Sequence, residues 1–434
     1  MEARAGFRYE DGQLSASGVP LARVLASVGS AWVYDGDGIA ARCAALARSF
    51  DGAWARACYA VKANTNPTIM QRVAAHGLGA EVSSGGELRL ALGAGFDPAR
   101  LVLNGNGKTQ DELALAIGSG IGLVSADSPS ELARLDAAAA ALGRVQRVLL
   151  RVNPDVDPHT HPYIATGLKE SKFGMTPIEA LSACARAKSY SHLVIAGLHV
   201  HIGSQLMELA PLEAALVEAL EIVDAGRASG ALLDTLDLGG GFGIDYEGVG
   251  ATFPLEAYAR RMKEAVTGRG LFALVEPGRF IAGAAGALAG RVLDVKRGPA
   301  RTFVVLDVAM NDLLRPALYD AFHRIVPLTE PRPAAPTFVA DVVGPICETG
   351  DCLARGRALP PLVPGDGVAI LDAGAYGYTM SSNYNGRPRL PEVLLEKGEA
   401  RLVRRGETLD DLARLAVDET LGTTRQALAS NRVE

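Results

Sequence analysis

Cysteine is scarce in this chain of 434 residues, with Cys43, Cys58, Cys184, Cys347 and Cys352 the only five. An odd, scattered set is no disulfide framework and points to a reducing cytoplasm. Cys347 and Cys352 stand too far apart for a C-x-x-C pair, and no second pair completes a zinc set. Basic charge is not in excess either. The net charge of -6 argues against a nucleic-acid partner or an anionic membrane, and no basic stripe with interleaved aromatics occurs. Long apolar runs are missing as well. The stretch "FIAGAAGALAG" is too short to span a bilayer, and "MEARAGFRYEDG" has acids where a secretion signal needs an apolar core.

What is present is a globular composition, 48% hydrophobic and 21% charged, in a chain long enough for two or three domains. From about residue 55 to 283, short apolar strand candidates alternate with segments of helical period. The strands are "ACYAVKAN", "GLGAEVSS", "RLVLNGNG", "IGLVSADS", "RVLLRVNP", "VIAGLHVHIGS", "LDTLDLGGGFG" and "LFALVEPGR". Eight such units predict a (β/α)8 TIM-type barrel over residues 35–283. The alternative, a doubly wound open sheet, lacks its G-x-G-x-x-G crossing loop after the first strand. After residue 284 the segments are short, β-branched and separated by Pro/Gly turns, as in "TEPRPAAPT". Residues 284–434 therefore predict a mainly antiparallel β-barrel or sandwich domain, closing in a charged helix at "ETLDDLARLA". Residues 1–34, with the strand-like "FRYEDGQLS", are expected to join it.

A barrel keeps its active site where the strands end. Polar or glycine groups follow nearly every strand: Lys62, Glu81, Asn104, Asn153, His201, Gly239 to Gly241, and Glu276 with Arg279. Alone, Lys62 in "CYAVKANTNP" reads as a lysine snorkelling to the surface. In this company it reads as an amine at a pocket mouth, suited to a Schiff base. Alone, the run in "LDLGGGFG" is a tight strand-to-helix turn. With Ser204 of "HIGSQ" and Gly278 of "EPGR" it offers donors for one phosphate. The pairs His159/His161 and His199/His201 place two rings on one strand face, but no third ligand stands near in sequence, so no metal is assigned. A lysine, a phosphate cradle and an acid together point to pyridoxal phosphate (PLP). Glu276 would face the pyridine nitrogen and keep it protonated, and His201 would stack on the ring.

The chain also resembles the PLP-dependent decarboxylases of the alanine-racemase-like fold, the diaminopimelate decarboxylases in particular. The resemblance runs over nearly the whole chain, through "YAVKAN", "TGLKESKFG", "HVHIGSQ", "GGGFG", "EPGR", "MNDLLRPALYDAFH", "GPICETGD" and "DAGAYG". It implies Lys62 as the Schiff-base lysine, and cofactor contacts from Glu81, His201, Ser204, Gly239, Gly240, Gly241, Glu276, Gly278, Arg279 and Tyr376. It assigns Arg279, Arg315, Tyr319, Glu348 and Tyr376 to substrate and Cys347 to catalysis. Glu81 is a departure, because aspartate is more usual there.

The substrate so implied is meso-2,6-diaminoheptanedioate, giving L-lysine and CO2 in lysine biosynthesis. Arg279 and Arg315 suit its distal carboxylate, Glu348 its distal ammonium, and Tyr319 adds a hydroxyl. A thiol of ordinary acidity, about 8.5, is protonated at neutral pH, so Cys347 suits the proton that returns to the α-carbon. Cys347 lies far in sequence from the barrel. The expected assembly is therefore a homodimer in which each site takes Cys347 and Glu348 from the second subunit. The rivals are a same-fold decarboxylase of carboxynorspermidine, ornithine, arginine or a carrier-bound glutamyl group, a racemase, and a PLP-binding protein without catalysis.

Overall fold

A computed structural model describes residues 6–154 and 172–417 of the chain. It opens with a small antiparallel sheet of β1 (Arg8–Glu10), β2 (Gln13–Ala16) and β3 (Val19–Pro20). Helix α1 (Leu21–Val28) buries Leu21, Val24 and Leu25, a spacing that gives it one apolar face. All five residues of β4 (Ala31–Asp35) are buried.

Helix α2 (Gly36–Ser49) leads into the strand–helix series. It comprises β5 (Ala55–Ala60), α3 (Pro67–Ala75), β6 (Gly79–Val82), α4 (Gly85–Gly93), β7 (Leu101–Leu103), α5 (Gln110–Gly118), β8 (Leu123–Ala126) and α6 (Pro129–Ala141). It continues with β9 (Gln146–Arg151), α7 (Pro177–Ala185), β10 (Leu193–His199), α8 (Ala210–Ala228), β11 (Thr235–Asp237), α9 (Leu255–Thr267) and β12 (Phe272–Val275). The eight strands pair in parallel and close, with β12 returning to β5. All eight strand candidates of the sequence contribute one strand each. Four of the helices start at a Ser or Thr whose side chain accepts the N–H of a Glu three residues on: Ser84/Glu87, Thr109/Glu112, Ser128/Glu131 and Thr176/Glu179. These caps fix where the loops at the strands' C-terminal ends stop.

The eighth helix of the ring comes from an unexpected place. After β12 only the four-residue α10 (Arg279–Ala282) forms before the chain departs. Helix α2, which precedes the first strand, packs on both α3 and α9 and fills the gap. Inside the barrel, Cys58, Val102, Leu149 and Leu274 form a cluster separate from the core between strands and helices, as period-two alternation requires.

The second domain holds β13 (Gly286–Arg297), β14 (Thr302–Leu306), α11 (Arg315–Tyr319), β15 (Ile325–Pro327), β16 (Phe338–Val343), β17 (Ala354–Leu359) and β18 (Gly367–Ile370). β19 (Glu392–Glu396), β20 (Glu399–Arg404) and α12 (Leu409–Ala413) complete it. Its sheet runs β17-β16-β14-β13-β4-β19-β20, with β18 paired to β13 and β15. Pairing is antiparallel except for β14 with β16 and β4 with β19. Thus "AWVYD" of β4, which no sequence pattern marked as a strand, lies at the centre of this sheet. The N-terminal segment does not enter the main sheet through β1 and β2. It packs on it: the Leu14 N–H donates to the Leu328 carbonyl at 2.8 Å, and Leu14 and Ala16 share a core with Ala31, Val33 and Ala287. The expected terminal helix is represented by α12, capped by Thr408, and the chain beyond 417 lies outside the described residues. Among the described residues no helix is long and apolar enough to cross a membrane.

Two sets of hydrogen bonds clamp the second domain onto the barrel loop that carries Lys62. The Tyr376 N–H donates to the Ala63 carbonyl at 2.8 Å, and Asn64 Nδ2 donates to the Gly374 carbonyl at 3.2 Å. Glu392, fully buried, accepts from Tyr34 (2.7 Å), Asn66 (2.9 Å) and Arg404.

Candidate active site

A cavity of about 760 Å³ opens at the C-terminal ends of the barrel strands. Lys62, His201, Ser204, Gly240, Gly241, Glu276, Gly278 and Arg279 line it from the barrel. Arg315, Tyr319, Phe322, Tyr376 and Met380 line it from the second domain. Most residues singled out in the sequence therefore meet here. Glu81 and Gly239 lie directly behind the lining, bonded to Lys62 and Asp237 respectively. Cys347 and Glu348 are not among the lining residues. Cys347 is exposed, its N–H donating to Asn385 Oδ1 at 2.9 Å, and Glu348 bonds Tyr384. The pair His159/His161 and most of "TGLKESKFG" lie outside the described residues.

Lys62 sits in a single 3-10 turn (Val61–Ala63) that ends β5, so its side chain leaves the strand register and enters the cavity. Its Nζ is 2.7 Å from Glu81 Oε2, and Ser83 Oγ donates to Glu81 Oε1 at 2.8 Å. Burial works against the ammonium, but Glu81, Tyr376 and Glu276 outweigh it and hold its pKa above the ordinary value. The resting amine is therefore a cation, with Glu81 as its nearest base.

Three buried carboxyls form the floor: Glu81, Asp237 and Glu276, the last 5% exposed. Asn104 Nδ2 donates to Glu276 Oε1 at 2.5 Å, and Asp237 Oδ1 accepts the Gly239 N–H at 2.8 Å. Burial, then Asp237 and Glu81, push Glu276 well above the carboxylate range. Burial raises Asp237 to about 6 against the pull of the Gly239 N–H. Two adjacent buried carboxyls hold a proton between them rather than both ionise.

The two histidines of "HVHIGSQ" divide between levels. His201 lines the cavity and its Nδ1 accepts the Gly240 N–H at 3.3 Å, which places its proton on Nε2. Burial and Lys62 lower it to about 3, so the ring is neutral. His199 lies beneath, its Nδ1 2.8 Å from Ser125 Oγ and its Nε2 3.7 Å from Glu276 Oε2. Burial likewise keeps it neutral.

The glycine run is required for packing before any ligand arrives. A Cβ at Gly240 would collide with the Glu276 carbonyl, and Gly241, at φ 89°, passes against the Gly203 carbonyl. Arg279 Nη2 donates to Ser204 Oγ at 2.9 Å, and its guanidinium lies 5.0 Å over the Tyr376 ring. Tyr376 itself takes the left-handed conformation at φ 58°, a strained turn held by its bond to Ala63.

Several site residues escaped the sequence reading. Asp237 had a signal, since it stands two residues before the glycine run in a strand that is otherwise apolar. His199 was marked only by its spacing to His201. Tyr246, whose hydroxyl bonds Arg279 and Arg315, carried none, and His323, bonded to Arg315, was marked only by closing the quoted "MNDLLRPALYDAFH".

Residues 37–283 match the sequence family described as "Pyridoxal-dependent decarboxylase, pyridoxal binding domain". The diaminopimelate decarboxylase of Pseudomonas aeruginosa is 45% identical over 94% of this chain and 97% of its own length. That of Zymomonas mobilis is 42% identical over the same shares. The crystal structure of diaminopimelate decarboxylase from Helicobacter pylori complexed with L-lysine superposes with a TM-score of 0.87 at 39% identity, covering 91% of this chain and 98% of that one. With both the barrel and the full length matched, this chain belongs to the diaminopimelate decarboxylase family of PLP-dependent enzymes.

Proposed function

We propose that the chain decarboxylates meso-2,6-diaminoheptanedioate to L-lysine and CO2, with PLP held at Lys62. The observation that carries the reading is one cavity that joins the Lys62 amine and the Glu276 floor to the Arg279 and Arg315 guanidiniums. The residues fit the cofactor. Lys62 supplies the amine, Ser204 and the backbone N–H groups of Gly241 and Gly278 supply donors for a phosphate, and the neutral His201 offers a flat face. The buried His199 Nε2 has no hydrogen-bond partner among the described residues, and it lies with Asp237 beside Glu276. Buried carboxyls grouped in this way suit a cationic ring nitrogen beside them.

When bound, PLP supplies an aldehyde for the substrate amine and an electron sink for the carbon that loses CO2. The chain supplies the rest. Glu81 Oε2 takes or returns the Lys62 Nζ proton, since an ammonium is no nucleophile. Glu276, steadied by Asn104, would release its proton beside a cationic ring and so hold negative charge where the sink needs it. The cavity's far wall carries two arginines, which read the distal carboxylate, with Tyr319 beside them. Ornithine or arginine presents a cation at that end, and the arginines would repel it.

The proton that replaces CO2 comes from Cys347 of the partner subunit in a two-fold dimer, with Glu348 of the partner subunit taking the distal ammonium. What supports this is the position of both residues outside their own chain's cavity, on an exposed segment. We take residues 35–283 as the cofactor-binding barrel, 284–434 as the β domain, and 1–34 as its N-terminal addition. The test is direct. PLP-loaded protein is offered meso-2,6-diaminoheptanedioate, ornithine, arginine and carboxynorspermidine, with amine and CO2 measured. Turnover of the first alone is expected. Preference for any of the others overturns the assignment.

A further inference from the structure

Arg279 and Arg315 are 5% and 6% exposed, yet neither forms a salt bridge among the described residues. Burying a cation without an anion is costly, so the partners it does have must satisfy it. Those partners are neutral. The Tyr246 hydroxyl oxygen accepts from Nη1 of Arg279 and, at 2.9 Å, from Nη1 of Arg315. His323 Nε2 lies 2.9 Å from the same Arg315 Nη1, and His323 Nδ1 lies 2.9 Å from the Leu371 carbonyl. The carbonyl can only accept, so Nδ1 carries the ring proton and Nε2 is the acceptor. The two aromatic rings meet edge to face at 5.2 Å.

Tyr246 is held firmly. The carboxylate of Asp245 accepts the N–H groups of Gly248 (2.8 Å), Val249 (3.2 Å) and Gly250 (2.6 Å), closing the loop behind it. A rigid hydroxyl between two guanidiniums uses one N–H of each and leaves others for a ligand. A carboxylate there would also bind both, but would cancel the charge that attracts an anion.

We propose that Tyr246 and His323 are positioning residues that hold Arg279 and Arg315 as a preformed, uncancelled fork, and so set the preference for a ligand bearing a carboxylate at its far end. The proposal rests on the reading that these two arginines face the distal carboxylate. Burial and Arg315 lower His323 to about 3, so it remains an acceptor at any working pH.

The experiment uses PLP-loaded holoenzyme and measures KM and kcat for meso-2,6-diaminoheptanedioate. It also measures binding of L-lysine, which retains a carboxylate, and of 1,5-diaminopentane, which has none. Tyr246→Phe and His323→Leu should each raise KM and weaken L-lysine binding about tenfold, the size of one hydrogen bond to a charged group, with kcat and diaminopentane binding unchanged. His323→Gln, which keeps an acceptor in reach of Arg315, should stay near the parent. Equal weakening of L-lysine and diaminopentane would show general damage and overturn the proposal. If Arg315→Met weakens L-lysine binding while Tyr246→Phe and His323→Leu do not, the brace is wrong and the arginine reading stands. If Arg315→Met also has no effect, the arginine reading itself fails.

Discussion

The floor and the far wall of the cavity handle buried charge in opposite ways. The floor crowds three carboxyls, Glu81, Asp237 and Glu276, about one half-buried amine, and burial pushes Asp237 and Glu276 toward keeping protons. The wall buries two guanidiniums and surrounds them with neutral acceptors. A floor of this kind can hold and move protons and can welcome a cationic ring. A wall of this kind can only attract an anion. On the proposed function the barrel builds the chemistry, and recognition is built where barrel loops meet the second domain, which contributes Arg315, Tyr319 and Tyr376 to the cavity.

The largest effect is expected at the floor's single amine. Lys62→Ala should abolish turnover, because no other lysine lines the cavity among the described residues. Borohydride reduction of parent holoenzyme should label the peptide containing Lys62. A label on another lysine would move the floor elsewhere.

A smaller but distinctive effect concerns Cys347, which belongs to neither surface within its own chain. Cys347→Ala and Lys62→Ala should each be inactive alone. After demonstrated subunit exchange at equal mixing, roughly a quarter of parental activity should return, because random two-fold pairing makes hybrids with one intact site. Exchange without recovery would place both residues in one chain's site, or remove the cysteine from catalysis.

The smallest effect is on stability. Asp237 rises from 3.8 to about 6 on folding, so the folded state binds the extra proton between those values. Its contribution is fully present below about 3.8 and is lost as pH rises through about 6. Cofactor-free parent should therefore melt lower at pH 8 than at pH 5, and Asp237→Asn, which keeps the Gly239 acceptor, should flatten that fall. An unchanged pH slope would mean that Asp237 does not hold the floor's proton.

The two surfaces also differed in how legible they were. Strand–helix alternation marked all eight barrel strands, and the strand-end rule then marked Lys62, Glu276 and the glycine turn, because period and position are local properties. The wall had no such rule. Arg315 and Tyr319 stand one helical turn apart on α11, but their facing the barrel depends on how two domains dock. Tyr246 meets Arg315 across 69 residues, which no short pattern encodes, and His323 lies 8 residues from Arg315 but beyond the end of α11 at Tyr319, so helical spacing does not pair them. β4 was missed for a related reason: it is buried on both faces, so it shows no alternation, and it reaches its sheet from the far end of the chain. The origin of the eighth ring helix was hidden too, because ring closure joins elements distant in sequence.

The division of labour is tested most directly by steady-state kinetics on two holoenzyme variants, one from each surface. Glu276→Gln should retain PLP and lower kcat at nearly unchanged KM, since it weakens the electron sink alone. Arg315→Met should raise KM for meso-2,6-diaminoheptanedioate at nearly unchanged kcat, losing about 1.5–3 kcal/mol of uniform binding. The contrary pattern, with Glu276→Gln acting on KM or Arg315→Met acting on kcat alone, would contradict the assignment of chemistry to the floor and recognition to the wall.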